Sequence, residues 1–73
     1  MKPYFVQCSQ EKASDGTVNL PVNMNLVSSF KRAYDQPVLR FYLPEKGDYV
    51  DWTYDTAEER DVDYMRLLNE FCL

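Results

Sequence analysis

The chain has no histidine among its 73 residues. Imidazole is the commonest general base, a common zinc ligand and the usual pH switch near neutrality. Its absence sets all three aside. Glycine is nearly as scarce, with only Gly16 and Gly47, too few for a phosphate-cradling loop. The cysteines, Cys8 and Cys72, lie near opposite ends without a CxxC spacing, and read as reduced, buried thiols of a cytoplasmic protein. No apolar run approaches the roughly 18 residues of a membrane span. The opening MKPYFVQCSQ also lacks the apolar stretch of a signal peptide. A cytoplasmic location with no membrane partner is expected.

Basic side chains are few in the second half. Residues 1–44 carry five basic and three acidic groups, whereas residues 45–73 carry three basic and nine acidic ones. Direct binding to a phosphate backbone through the second half is therefore unfavourable, and a protein partner of that half should be neutral or basic. What the sequence has in plenty is apolar and aromatic material, 45% and 15%. That is enough for one core in a single domain spanning 1–73, because each aromatic buries a large area.

Catalysis finds no support. Neither cysteine has a histidine to activate it, and Ser9, Ser14, Ser28 and Ser29 lack both a base and a glycine elbow. Asp61 and Asp63 form a DxD without the glycine and further ligands of a calcium loop. The chain is expected not to be an enzyme and to need no metal or cofactor.

Tyr4–Cys8 reads as a strand begun after Pro3, and Asp15-Gly16 as a turn. In VNLPVNMNL, Val18, Leu20, Val22, Met24 and Leu26 alternate with polar residues and Pro21. That period predicts a half-buried strand, at an edge or broken at the proline. Residues 25–34 fit two readings. Asn25 can cap a short helix, or a single turn precedes a strand over 28–33, which the helix-poor Val27-Ser28-Ser29 favours. VLRFYLPEKGDYVDWTY is a hairpin whose face parity fixes its register. Leu43 opposes Asp48, Phe41 opposes Val50 and Leu39 opposes Trp52, with Tyr42–Tyr49 and Arg40–Asp51 on the other face.

Thr56 and Glu59 then form a capping box for a helix over about 56–72. Its apolar arc takes Ala57, Tyr64, Met65, Leu67, Leu68, Phe71 and Cys72, with Glu59, Asp63, Arg66 and Glu70 opposite. Asp61 falls inside the arc and needs solvent, a capping amide or a base such as Arg40 or Arg60. The expected fold is α+β, a small antiparallel sheet of three to five strands packed on one C-terminal helix.

The turn Asn25-Leu26-Val27-Ser28-Ser29-Phe30, the Trp52-Thr53-Tyr54 strand end and the helix opening Glu58-Glu59-Arg60-Asp61 resemble small uncharacterised bacterial or phage proteins. These run from a strand meander through a W-x-[FY] element into a helix. The resemblance implies the same order of elements and no particular activity.

Residues 48–63 hold seven carboxylates against Arg60 alone. Such an array could imitate nucleic acid and inhibit a host DNA- or RNA-binding protein. Capping, turns and an Asp51–Arg40 pair account for most of it without any function. The outer hairpin face carries Arg40, Tyr42, Tyr49, Asp51 and Thr53. Tyrosine with arginine suits a protein interface unless another segment covers that face as a second core. The sequence thus points to a small non-catalytic binding or regulatory protein, with an acidic mimic and a structural homo-oligomer as alternatives. Its expected partner surface comprises Arg40, Tyr42, Tyr49, Asp51, Glu58, Glu59, Asp63 and Glu70, and a homodimer is compatible with it.

Overall fold

The computed structural model describes residues 5–71; the expected positions of Tyr4 and Cys72 lie outside them. The elements run β1 (Phe5–Val6), β2 (Val22–Asn23), β3 (Ser29–Arg32), β4 (Val38–Leu43), β5 (Asp48–Thr53) and α1 (Ala57–Phe71). β1 and β2 form a two-stranded antiparallel sheet, and β3-β4-β5 a three-stranded antiparallel meander. The fold is α+β, with two small sheets in place of one.

The hairpin has the register its parity dictates. Leu39 faces Trp52, Arg40 faces Asp51, Phe41 faces Val50, Tyr42 faces Tyr49 and Leu43 faces Asp48. A one-residue slip would send every apolar side chain to the wrong face. Pro44–Lys46 makes a 3-10 turn, and Gly47 closes it at φ 60°, a left-handed conformation glycine adopts without steric cost. Residues 24–33 follow the turn-then-strand reading. Met24–Leu26 is a 3-10 turn leading into β3. Its cap is Asn23, whose Oδ1 accepts the Asn25 N–H at 3.0 Å, and not Asn25.

The expected strand over 18–26 is reduced to β2. Val18 makes only an isolated bridge to Lys12, and the alternation slips out of phase. Val18 and Leu20 are exposed while Asn19 is buried. Pro21, which has no amide hydrogen to donate, stands between this bridge and β2. The Asn19 amide, unlike a valine or leucine side chain, can satisfy the backbone groups at that buried point. The Asp15-Gly16 turn forms as read, with Gly16 at φ 94° and Thr17 N–H donating to Asp15 Oδ1 at 2.9 Å.

The core lies between the meander and α1. Leu39, Phe41, Trp52 and Leu67 are fully buried, joined by Val6, Cys8, Val22 and Tyr54. Burying Leu39, Phe41 and Leu67 contributes about 1.5–3 kcal/mol each. Phe41 meets Trp52 edge-on at 4.7 Å between centroids, and Phe30 bridges Phe41 to Tyr64 of α1. Trp52 Nε1 donates to Leu20 O at 2.7 Å, so its one polar atom is satisfied.

α1 is rotated from the expected arc. Ala57 and Met65 are exposed, whereas Asp63 and Leu67 are buried. The rotation follows from Asp63. Its carboxylate finds donors inside the protein, so the inward stripe centres on Asp63, Tyr64 and Leu67, and Met65 turns to water. Thr56 caps the helix as expected, its Oγ1 accepting the Glu59 N–H at 3.2 Å and donating to Glu59 Oε1 at 3.0 Å. Asp61 is paired with Arg60 at 3.0 Å and with Arg32 at 3.5 Å. Arg40 is engaged elsewhere.

Candidate functional site

Side chains alternate across a strand, so the register that sends Leu39, Phe41, Val50 and Trp52 toward α1 sends Arg40, Tyr42, Tyr49 and Asp51 the other way. Lys31, opposite Arg40, and Ser29, opposite Tyr42, share this outer face. Its members order one another. Arg40 makes a two-point contact with Asp51, Nε to Oδ1 at 2.8 Å and Nη2 to Oδ2 at 2.9 Å. The guanidinium also lies 4.0 Å from the Tyr49 ring centroid, a cation–π geometry. Hydrogen bonding to Asp51 raises the Arg40 pKa further above its already high ordinary value. Tyr49 meets Tyr42 edge-on at 6.4 Å, and Lys31 Nζ stands 6.0 Å from the Tyr42 centroid.

The result is an aromatic platform held by an ion pair. Its Tyr42–Tyr49 end is the more open one, since Val38 at the other end of the same face is buried. Tyr49 is 48% exposed, and a groove of about 480 Å³ runs between Ser29, Tyr42, Pro44, Gly47 and Tyr49 at the hairpin end. The Arg40–Asp51 pair is partly exposed, so its effect is mainly positional. It keeps the Tyr49 ring in place.

The acidic residues of α1 expected to join this surface do not. α1 packs on the inner face, through Tyr64 against Phe30 and Leu67 in the core. Glu58 and Glu70 are therefore exposed on the far side of the sheet from Tyr42 and Tyr49. Glu59 is half-buried and accepts the Gln10 side-chain N–H at 2.6 Å. Asp63 is no surface residue. It is 1% exposed, and its Oδ2 accepts from Tyr54 Oη at 2.6 Å and from Ser9 N–H at 2.9 Å. Arg66 Nη2 approaches Oδ1 at 3.4 Å. Burial alone would push this carboxyl up, but the Ser9 and Tyr54 hydrogen bonds and the Arg66 charge hold it below the ordinary range.

This buried cluster includes Cys8. Burial pushes the thiol up, and the neighbouring Asp63 charge adds to that. The Tyr54 phenol is raised in turn, by burial first and then by its bond to Asp63. A thiol beside a carboxylate resists ionisation, the reverse of what a nucleophile requires. The cluster's role is to tie the chain together. Among the described residues, no group of three His, Cys, Asp or Glu side chains is placed to hold a metal ion.

Asn19 is the other buried polar residue the sequence did not single out. Its Oδ1 accepts the Thr53 N–H at 2.9 Å, and its Nδ2 donates to Thr53 O and Gln10 O, both at 2.8 Å. The side chain thus imitates one residue of a neighbouring strand on the outer edge of β5. Asn19 repeats with Asn23 and Asn25 on the polar positions of VNLPVNMNL, so nothing in the sequence distinguished it.

No family model, curated protein or solved structure matches the chain. Among the described residues, no helix is long and apolar enough to cross a membrane.

Proposed function

We propose that the chain is a small non-catalytic binding or regulatory protein that engages a protein partner through the outer face of β3-β4-β5. One observation carries this reading: a tyrosine and arginine cluster ordered by its own contacts stands partly exposed on the outer sheet face. Tyrosine and arginine dominate binding energy at protein interfaces. Ordering them beforehand lowers the entropy lost on docking. Asp51 neutralises Arg40, so the platform selects by aromatic contact and shape. A preference for a basic partner, if expressed, belongs to Glu58 and Glu70 on the helix side. A reducing, cytoplasmic setting fits the free, buried thiol of Cys8.

The acidic-mimic reading is weaker. Asp51, Asp55, Glu59, Asp61 and Asp63 each serve an intramolecular partner, which breaks up the array a nucleic-acid mimic would display. Partner capture on the immobilised protein, repeated across a salt series, separates the readings. An aromatic interface keeps most of its affinity at high salt, whereas a mimic loses it steeply. Sedimentation over a range of concentrations tests the third possibility, a homo-oligomer built on the same face. A mass that rises with concentration while no partner is captured would replace the binding reading with that one.

A further inference from the structure

Among the described residues, β3 is paired on one side only, with β4. Ala33 N–H donates to Val38 O at 2.9 Å, which fixes the phase of the ladder. In an antiparallel pair, hydrogen-bonded and non-bonded positions alternate. Lys31–Arg40 and Ser29–Tyr42 are then the bonded pairs, and the N–H and C=O groups of Phe30 and Arg32 point away from β4. Ser28 N–H also reaches Tyr42 O at 3.0 Å, so two residues face one there and the bulge ends the ladder. β3 therefore offers a short open edge beside the tyrosine platform.

We propose that this edge accepts an extended acidic segment of the partner protein as an added strand. The inference rests on the reading that a protein docks on the outer face, and it names the chemistry of the docking segment. Charge selects the occupant. Lys31 and Arg32 sit on β3 itself, and Arg60 closes its end, donating from Nη1 to Ala33 O at 3.0 Å and Gln36 O at 2.7 Å. Asp61 is shared between Arg60 and Arg32, and Arg32 also lies over the Tyr64 ring at 4.4 Å, so the outward Lys31 carries the charge that selects the segment. A second copy pairing antiparallel would set Lys31 against Lys31 in one register and Arg32 against Arg32 in another, and like charges across a ladder are destabilising. Edge lysines guard against such self-pairing; the same charge favours an acidic strand.

Side-chain alternation gives the segment its pattern. Residues pointing outward lie beside Lys31 and need a carboxylate. Residues pointing inward lie along a groove of about 430 Å³ lined by Met24, Val27, Phe30 and Leu68, and need an apolar group. The docking segment alternates apolar and acidic residues. Main-chain bonds hold it, and the two rows of side chains select it.

Two short synthetic peptides, acetyl-Val-Glu-Val-Glu-Val-amide and its Lys-for-Glu counterpart, test this on the intact protein by amide hydrogen exchange and chemical shifts. At ten times its Kd the acidic peptide should slow exchange at Phe30 and Arg32 by about tenfold. The lysine peptide should not, and Lys31→Glu should exchange the two preferences. N-methylation of the acidic peptide at alternate residues should abolish binding in one phase and spare it in the other. If the acidic peptide shifts Tyr42 and Tyr49 without protecting Phe30 and Arg32, strand addition is overturned and the platform reading stands. If the lysine peptide binds as well as the acidic one, the charge assignment is overturned. Protection of these amides that grows with protein concentration alone would make a second copy the occupant. Failure of both peptides at both places overturns the inference, and the platform reading is then judged by partner capture alone.

Discussion

The Tyr54 hydroxyl donates to Asp63 Oδ2 at 2.6 Å, and the same carboxylate oxygen holds the Ser9 N–H at 2.9 Å. One buried atom therefore joins the residue after β5, the helix and the segment following β1. Asp63→Ala strands both donors and should cost about 3 kcal/mol, lowering the midpoint of thermal unfolding by more than about 10 °C in a domain this small. Tyr54→Phe removes one bond and should cost about 1–2 kcal/mol. Urea unfolding measures both. An Asp63→Ala variant within about 0.5 kcal/mol of the parent, as for an ordinary surface site, would show that the cluster is incidental.

Acid should dissolve this junction. The Asp63 carboxyl is held below its ordinary range in the folded state, net of burial, by Ser9, Tyr54 and Arg66. A depressed folded pKa stabilises the fold fully above the unfolded value, near 4, and the stabilisation is lost as pH falls through the folded one. Asp55, held down by the Ser14 N–H, and Asp61, held down by Arg60, act in the same direction, but Asp55 is exposed and Asp61 partly so, and both contribute little. Urea midpoints should therefore be level around neutrality and fall below about pH 4. Asp63→Asn should start lower and fall less. Equal acid sensitivity in the two proteins would remove Asp63 from this account.

Asn19→Ala should be unusually damaging for an asparagine in a loop. It leaves Thr53 N–H, Thr53 O and Gln10 O without the side chain that now serves them, at a cost of about 2–3 kcal/mol. The distinctive readout is amide exchange at Thr53, which should accelerate more than at neighbouring residues of β5. Asn19→Asp keeps an acceptor for the Thr53 N–H but loses the donor, and should be destabilised while sparing much of that protection. Uniform loss of protection along β5 would mean that Asn19 supports the strand only generally.

On the outer face the expected effect is on binding. Tyr49→Ala removes an exposed ring and should leave the urea midpoint within about 0.5 kcal/mol while weakening partner binding by more than about 1 kcal/mol. Tyr42→Ala should weaken binding similarly. Glu58→Gln and Glu70→Gln should mainly change the association rate and its salt dependence. Calorimetry and stopped-flow mixing with the captured partner measure these. Binding that survives both tyrosine substitutions and fails with the glutamine ones would move the interface to the helix.

The hairpin was legible because its two faces differ through its middle, so only one register kept Leu39, Phe41, Val50 and Trp52 together. The helix was legible in extent but not in rotation. Apolar periodicity treats every carboxylate as solvent-facing, and Asp63 is buried because donors arrive from Ser9 and Tyr54, distant in sequence. The same blindness hid Asn19, whose worth depends on the β5 edge. It also led the acidic residues of α1 to be grouped with the tyrosines, although strand parity and helix packing place them on opposite sides of the sheet. Local pattern reports what one element prefers. Buried polar residues report what two elements agree on, and that agreement is invisible until both are in place.

Beyond its β1–β2 pairing and local turns, the N-terminal arm is fastened to groups made late. Gln7 O is held by Arg66 at 2.9 Å, the Ser14 N–H by Asp55 at 2.8 Å, and Ser9 and Asn19 reach Asp63 and Thr53. These contacts span 34–59 residues of chain. During synthesis the arm is made before the groups that hold it, which follow 34–59 residues later in the chain. The meander, whose contacts are local, can form while the arm waits. The arm then docks as a clasp when α1 is complete, so a break in α1 before Asp63 should free Gln7 and Ser9 from the helix as well as shortening it.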